Sequence, residues 1–275
     1  MPVAAQLRTL EIDIPAKPDA LVRLSLLMAE DNVNQQAIAE LVESDMALAS
    51  AVMRAVNSSL YGLAGRVQSV HQAVTYLGTR EVAGITLEMG LRAAFEPAPE
   101  LEPIWARAGA RGMLMGRLGQ ALGLDAWAAH SAGLFEECGK AVLFRHASDH
   151  YRPMLRATTV DPDLCALERA GFGVSHDALG AALCEAWGLA PAVVACVRHH
   201  VAAHATLALP ELNATRGARE LLALSVLAHA LLTAPEALDA AAEAIAPQCG
   251  FDAMLVLRTL RRLEAQLEAA AVHGR

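Results

Sequence analysis

Apolar residues in this chain recur three and four positions apart and almost nowhere alternate with polar ones. That is the period of helices rather than strands. A first amphipathic helix is expected over about residues 19–30, after the entry "IPAKP". In "NVNQQAIAELVE" Asn34 has the place of an N-cap, Val33 and Ile38 are spaced as a hydrophobic staple, and Ile38, Leu41 and Val42 mark one face. Asp45 caps the next helix, which should bury Leu48, Val52, Met53 and Val56 before "NSSLYG" ends it. "SVHQAVTYLG" reads as a short helix with a capping box from Ser69 to Gln72 and a terminal Gly78. Thr79 begins a helix running to about Phe95.

The clearest punctuation is "EPAPELEP", residues 96–103, where proline and acids replace all periodicity. A lobe boundary is expected there, between residues 1–100 and 101–275. Beyond it the pattern predicts helices at about 103–122, 126–146, 149–157, 162–170, 175–187, 191–203, 216–232, 235–247 and 251–271. No segment reads as a strand and no internal repeat is evident, so the expected class is all-α.

Composition agrees. The 275 residues are 55% hydrophobic and 4% aromatic, dominated by Ala and Leu, which cost least to hold in a helix. A formal charge of −8 without a Lys/Arg block argues against nucleic-acid binding, because a phosphate backbone needs a basic stripe. The five cysteines are dispersed without CxxC spacing, as expected for reduced, buried thiols. The N-terminus lacks the charged and apolar regions of a signal peptide. The longest uncharged stretch, residues 221–235, is too short for the ~20 residues of a membrane span. A soluble, cytoplasmic protein is expected.

Chemistry has few places to reside. "GLFEECGK", residues 133–140, carries Glu136 and Glu137 side by side with Lys140 shortly after. On a continuous helix the two acids would leave about 100° apart. An exposed ion pair of Glu136 with Lys140 at i+4 is the plain reading. The other candidates are His176, the pair His199-His200, His204 and His229. An isolated histidine in an Ala/Leu helix is more often a packed or surface residue than a ligand. His200 and His204 share a face, but no HExxH pattern follows. There is no GxSxG, phosphate-binding loop or GxGxxG turn.

The ordered blocks "IAELVESDMALASAVMRAVNSSLYGL", "VQSVHQAVTYLGTREV", "IWARA", "SAGLFEECGKAVL", "HDALGAALCEAWGLAP" and "VRHH" resemble the HDOD domain, a bacterial signalling domain related to the HD and HD-GYP phosphohydrolases. The resemblance covers about residues 14–205. It implies a helical N-terminal lobe packed on an HD-like bundle that includes the C-terminal helices. In the HD enzymes the stretch matching "GLFEECGK" carries a His-Asp pair that binds a metal, which activates water for attack on phosphorus. Here Glu136 and Glu137 stand in those places, and Arg107 and Arg111 lie where an earlier ligand histidine is expected. His176 and His199-His200 are kept, His229 falls near the last aspartate, and no Gly-Tyr-Pro follows.

The resemblance therefore implies a vestigial metal site at Glu136, Glu137, His176, His199, His200 and His229, with no catalytic residue and no cofactor beyond an adventitious ion. If the HD backbone arrangement is kept, at least one of the two acids should face the interior, towards His176 and His199-His200, and be neutralised by His, by Arg107 or Arg111, or by Lys140. The implied partner is a separate signalling protein, with a cyclic-dinucleotide pathway allowed and neither nucleic acid nor membrane involved. Asp45, Asn57, Ser58 and Lys140 are the signature positions for interaction or structure. The surface around "NSSLYG" and "GTREV" is the interaction candidate, although Asn57 and Ser58 could equally just end a helix and pin the next loop. A residual phosphohydrolase and a small-ligand sensor are the competing readings.

Overall fold

A computed structural model describes residues 12–30, 32–58, 63, 65–210 and 215–273, with side chains placed as far as residue 266. Among them every regular element is helical. The order is α1 (Asp19–Met28), α2 (Gln35–Glu43), α3 (Met46–Val56), α4 (Val70–Leu77), α5 (Thr79–Ala93), α6 (Glu102–Ala121) and α7 (Ala126–Phe135). There follow α8 (Cys138–Ala157), α9 (Asp161–Phe172), α10 (His176–Ala186), α11 (Pro191–Thr206), α12 (Arg216–Thr233), α13 (Leu238–Ile245) and α14 (Ala253–His273). No described helix is long and apolar enough to cross a membrane.

The chain divides into two compact bodies. One comprises Ala16–Ala94 with residues 259–273, the other residues 12–15 with Phe95–Arg258. The first break falls within a few residues of the proline-rich stretch. The last one does not match the sequence expectation, which kept everything after residue 101 in one lobe. From Thr259 onward α14 belongs with the N-terminal helices, and sequence adjacency carries no trace of that grouping.

In the first body α1 to α4 surround α5, whose Val82, Ala83, Ile85, Leu87 and Leu91 are buried. The predicted caps form because each satisfies orphan N–H groups at a helix start. Asn34 Oδ1 accepts from Gln36 and Ala37 at 2.9 and 3.3 Å. Asp45 Oδ1 accepts from Ala47 and Leu48 at 2.8 and 3.0 Å. Ser69 Oγ accepts from Gln72 N at 3.1 Å, but Gln72 reaches back to the N–H of Gln68, not of Ser69. Met53, expected in the core, is half-buried while Leu48, Val52 and Val56 are buried.

Asn57 ends α3 and also ties it to the chain ten residues on. Its amide donates to Met53 O at 3.1 Å and Val67 O at 2.9 Å, and its Oδ1 accepts from Val67 N at 3.3 Å. This is the pinning role. Ser58 donates its backbone N–H to Ala55 O at 3.0 Å, whereas residues 59–62 of "NSSLYG" lie outside the described residues.

The second body is organised by close helix contacts through glycine. Gly133 on α7 faces Met115 and the backbone of Arg111 on α6, where an added Cβ would lie 2.8 Å from Met115 Sδ and 2.9 Å from Arg111 O. Gly139 on α8 meets α10 so closely that a Cβ would fall 1.9 Å from His176 O. These contacts overturn one expected element. The helix predicted over 126–146 stops at Phe135, turns at Glu136 and Glu137, and restarts at Cys138. The turn sets the direction of α8 so that Gly139 can lie on α10. The acid doublet therefore occupies a buried corner between helices rather than a helix face.

Candidate functional site

The corner holds a compact charge network. Glu136 and Glu137 are 0% and 1% exposed. Glu137 is gripped from three positions. Its Oε1 accepts from Arg107 Nε at 3.1 Å and Arg111 at 3.0 Å, and its Oε2 accepts from Arg107 at 2.6 Å and Lys140 at 2.9 Å. Both arginines come from α6, one turn apart, so the Gly133 contact between α6 and α7 brings them to the acids. Burial alone would raise the Glu137 carboxyl, but Lys140, Arg111 and Arg107 together hold it well below the usual range. Lys140 bridges onward to Asp161, the first residue of α9, at 2.7 Å. The expected surface pair of Lys140 with Glu136 is replaced by a buried pair with Glu137 and a part-buried one with Asp161.

Glu136 differs. Among the described residues its ion-pair partner is Arg111, whose Nε lies 3.1 Å from Oε2, and neither of its oxygens has a hydrogen bond of normal geometry. Burial dominates and pushes its carboxyl up to about 7, against the opposing pull of Arg111. The consequence for stability has a definite sign. Between an unfolded value of 4.5 and about 7 the folded chain keeps a proton that the unfolded chain has lost. Stability from this group is full below the lower value and is lost as pH rises through the upper one, by about 3 kcal/mol at roughly 1.4 kcal/mol per unit. Glu136→Gln should remove that component. Its unfolding free energy is expected to fall less between pH 5 and pH 8 than the parent's in denaturant titrations, and parallel slopes would contradict the assignment.

Glu137 has no free oxygen to offer a metal ion. Four charged donors occupy the two oxygens of Glu137, and the Arg111 guanidinium lies against both acids, where a cation would have to enter. A carboxylate saturated in this way has no lone pair to give.

A second polar set lies on the other side of Lys140. Among the described residues, Asp161, His176 and His200 offer ligand-type atoms all within 4.8 Å of one another. His176 opens α10 and His200 lies on α11. His176 Nδ1 lies 2.8 Å from Glu168 Oε2, and Glu168 also accepts the His176 backbone N–H at 2.7 Å and the Tyr151 hydroxyl at 2.5 Å. The buried carboxylate of Glu168 thus serves as the N-terminal cap of α10. Burial and the neighbouring His176 push His200 down to about 3, so it is neutral at physiological pH. The row continues through His204, which bonds Ser225 at 2.7 Å, to His229, stacked on His204 with ring centroids 4.1 Å apart.

His199 is the predicted position that does not join. It is half-buried where His200 is buried, and it is not in the Asp161, His176 and His200 group, since neighbours on a helix leave about 100° apart and only one of the pair can face inward. His229 lines a cavity of about 450 Å³ with Arg107, Lys140, Arg152, Arg156 and Asp161 among its walls. Asp161 and Glu168 were absent from the sequence candidates. Asp161 looks like an ordinary acid at a helix start in "DPD", and nothing in the sequence separates Glu168 from a surface glutamate.

With this geometry in view, similarity to known proteins decides the family. The HDOD domain model matches residues 14–203. The chain belongs to the HDOD family. An HDOD domain protein from Geobacter sulfurreducens has the same fold, with a TM-score of 0.69, 21% identity, and coverage of 94% of this chain and 92% of that one. A protein described as acting in signal transduction, from Marinobacter aquaeolei VT8, aligns with a TM-score of 0.73 at 24% identity over 96% of this chain and 59% of its own. One described as a phosphohydrolase, from Shewanella amazonensis SB2B, aligns with a TM-score of 0.68 at 17% identity over 95% of both chains. An uncharacterized protein of Treponema pallidum (strain Nichols) is 26% identical over 201 residues, 70% of this chain and 39% of that protein. This HDOD chain therefore spans well under half of that relative. The HDOD match ends at residue 203, beside the expected limit of 205 and within α11.

Proposed function

We propose that this HDOD protein is a non-catalytic signal-transduction module that acts in the cytoplasm by binding a separate signalling protein. The observation that carries the reading is the saturation of Glu137 by Arg107, Arg111 and Lys140. In a metal-dependent phosphohydrolase the equivalent corner must present free oxygens or nitrogens to the ion that activates water. Here guanidinium and ammonium groups provide the positive charge. They hold the corner together and generate no nucleophile. The resemblance supplies the rest of the proposal: a protein partner, no resident cofactor at the acid doublet, no nucleic acid and no membrane, with a cyclic-dinucleotide pathway as one setting.

The second reading, a residual phosphohydrolase, draws on the Asp161, His176 and His200 cluster. An activity assay separates the two. The purified chain with added Mn²⁺ or Fe²⁺ is expected to release no phosphate from nucleotides and no linear product from cyclic dinucleotides. Turnover above blank that disappears in a folded His200→Gln variant would establish the enzyme reading instead.

A further inference from the structure

Beyond the acid doublet, Nε2 of His176 and Nε2 of His200 are both fully buried and have no hydrogen-bond partner. In each ring the other nitrogen is anchored to an acceptor. His176 Nδ1 faces Glu168 at 2.8 Å, and Glu168 is itself fixed by Tyr151 and by the His176 backbone. His200 Nδ1 faces Val197 O at 2.7 Å. A carboxylate and a carbonyl only accept, so both Nδ1 atoms carry hydrogen, and the neutral form of each ring has its lone pair on Nε2. A hydrogen-bonded Nδ1 with a free Nε2 is how a protein presents histidine to a metal ion, because the outer partner sets both tautomer and ring orientation. An unbonded buried lone pair otherwise costs free energy with nothing in return.

The third group is Asp161. Lys140 occupies its Oδ1 at 2.7 Å, which leaves Oδ2 to give. Asp161 also lines the cavity and provides a route of entry. The alternative grouping of Cys165, Glu168 and His176 is less suited, since the Glu168 oxygens and His176 Nδ1 already satisfy one another.

We infer that Asp161, His176 and His200 form a binding site for one divalent transition-metal ion of the zinc type, separate from the acid doublet and joining the first residues of α9 and α10 to α11. Two imidazoles and one carboxylate suit zinc, iron or cobalt rather than magnesium or calcium, which take oxygen ligands. Three protein ligands leave a position for water. Lys140 beside Asp161 opposes the ion's charge and makes the site weaker than one with a free carboxylate. This inference goes beyond the proposed function and does not depend on it.

The test uses the whole 275-residue chain, stripped with chelator and titrated with Zn²⁺ by calorimetry and with Co²⁺ by visible absorption. One ion per chain is expected, with Co²⁺ bands. Glu168→Gln should weaken binding about 10–100-fold by loosening His176. His200→Gln should remove binding, and Glu136→Gln should leave it unchanged, with circular dichroism verifying that each variant is folded. Should a variant fail to fold, the Co²⁺-loaded parent gives the answer by proton NMR, where two exchangeable, paramagnetically shifted Nδ1–H signals are expected. No stoichiometric binding by the parent, unaltered binding in both folded Glu168→Gln and His200→Gln variants, or fewer than two such signals would overturn the site. Phosphate release by the loaded protein would instead count against the proposed function and leave the site standing.

Discussion

Glu137→Gln is expected to lose about 3–5 kcal/mol of folding stability, the usual cost of removing one partner from a buried ion pair. The amide keeps the volume but not the charge, so Arg111 and Lys140, 2% and 4% exposed, remain buried without their main counter-ion. Lys140 retains Asp161 and Arg111 retains Glu136, which keeps the loss from growing further. Arg107 is half-exposed and can return to water, so its pair adds little. Glu136→Gln is the matched control. With its carboxyl raised to about 7, Glu136 is about half protonated at neutral pH, and glutamine mimics the neutral form. Urea titrations of both variants without added metal should show a large loss for Glu137→Gln and a small change for Glu136→Gln. Equal midpoints for parent and Glu137→Gln would refute the buried charge network.

Gly139→Ala should be nearly as damaging for a purely steric reason. The new methyl would lie 1.9 Å from His176 O and 2.7 Å from Gly180 N. Both are backbone atoms of α10 and cannot swing aside as a flexible side chain would. α8 and α10 must separate, so the cost should reach or exceed the upper end of the ~1–3 kcal/mol typical of overpacked cores. The movement would also displace His176 from Glu168, so metal binding at Asp161, His176 and His200 should weaken along with stability. Gly217→Ala in α12, whose nearest contact would be Ala192 Cβ at 3.9 Å, should be neutral or slightly stabilising because alanine favours a helix. A thermal melt of Gly139→Ala that overlays the parent would show that α8 and α10 are not held at this distance.

The features legible in the sequence alone rest on interactions that close within a few residues. The all-α class and the caps at Asn34, Asp45 and Ser69 depend on local periodicity and on side chains bonding N–H groups two or three positions away. Gly78 was legible for the same reason, since a residue ending a helix at φ +85° favours glycine. The HDOD resemblance also points to the importance of "GLFEECGK", and the need to neutralise a buried acid there points to Arg107, Arg111, Lys140 or a histidine.

Tertiary structure decided how those parts meet. The pattern over residues 126–146 reads as one helix, and the break at Glu136 and Glu137 becomes visible only with the close approach of Gly139 to α10. Between His199 and His200 the choice was rotational, fixed by which face of α11 packs inward. Asp161 becomes a site residue through a lysine 21 positions away, and Glu168 through a histidine 8 positions on. Local propensity cannot register such contacts, because an acid near a helix start or on a helix face has the same sequence neighbours whether it ends in water or against a buried imidazole. Only the packing of α8, α9, α10 and α11 distinguishes them, by removing water from some of these groups and leaving it to the rest.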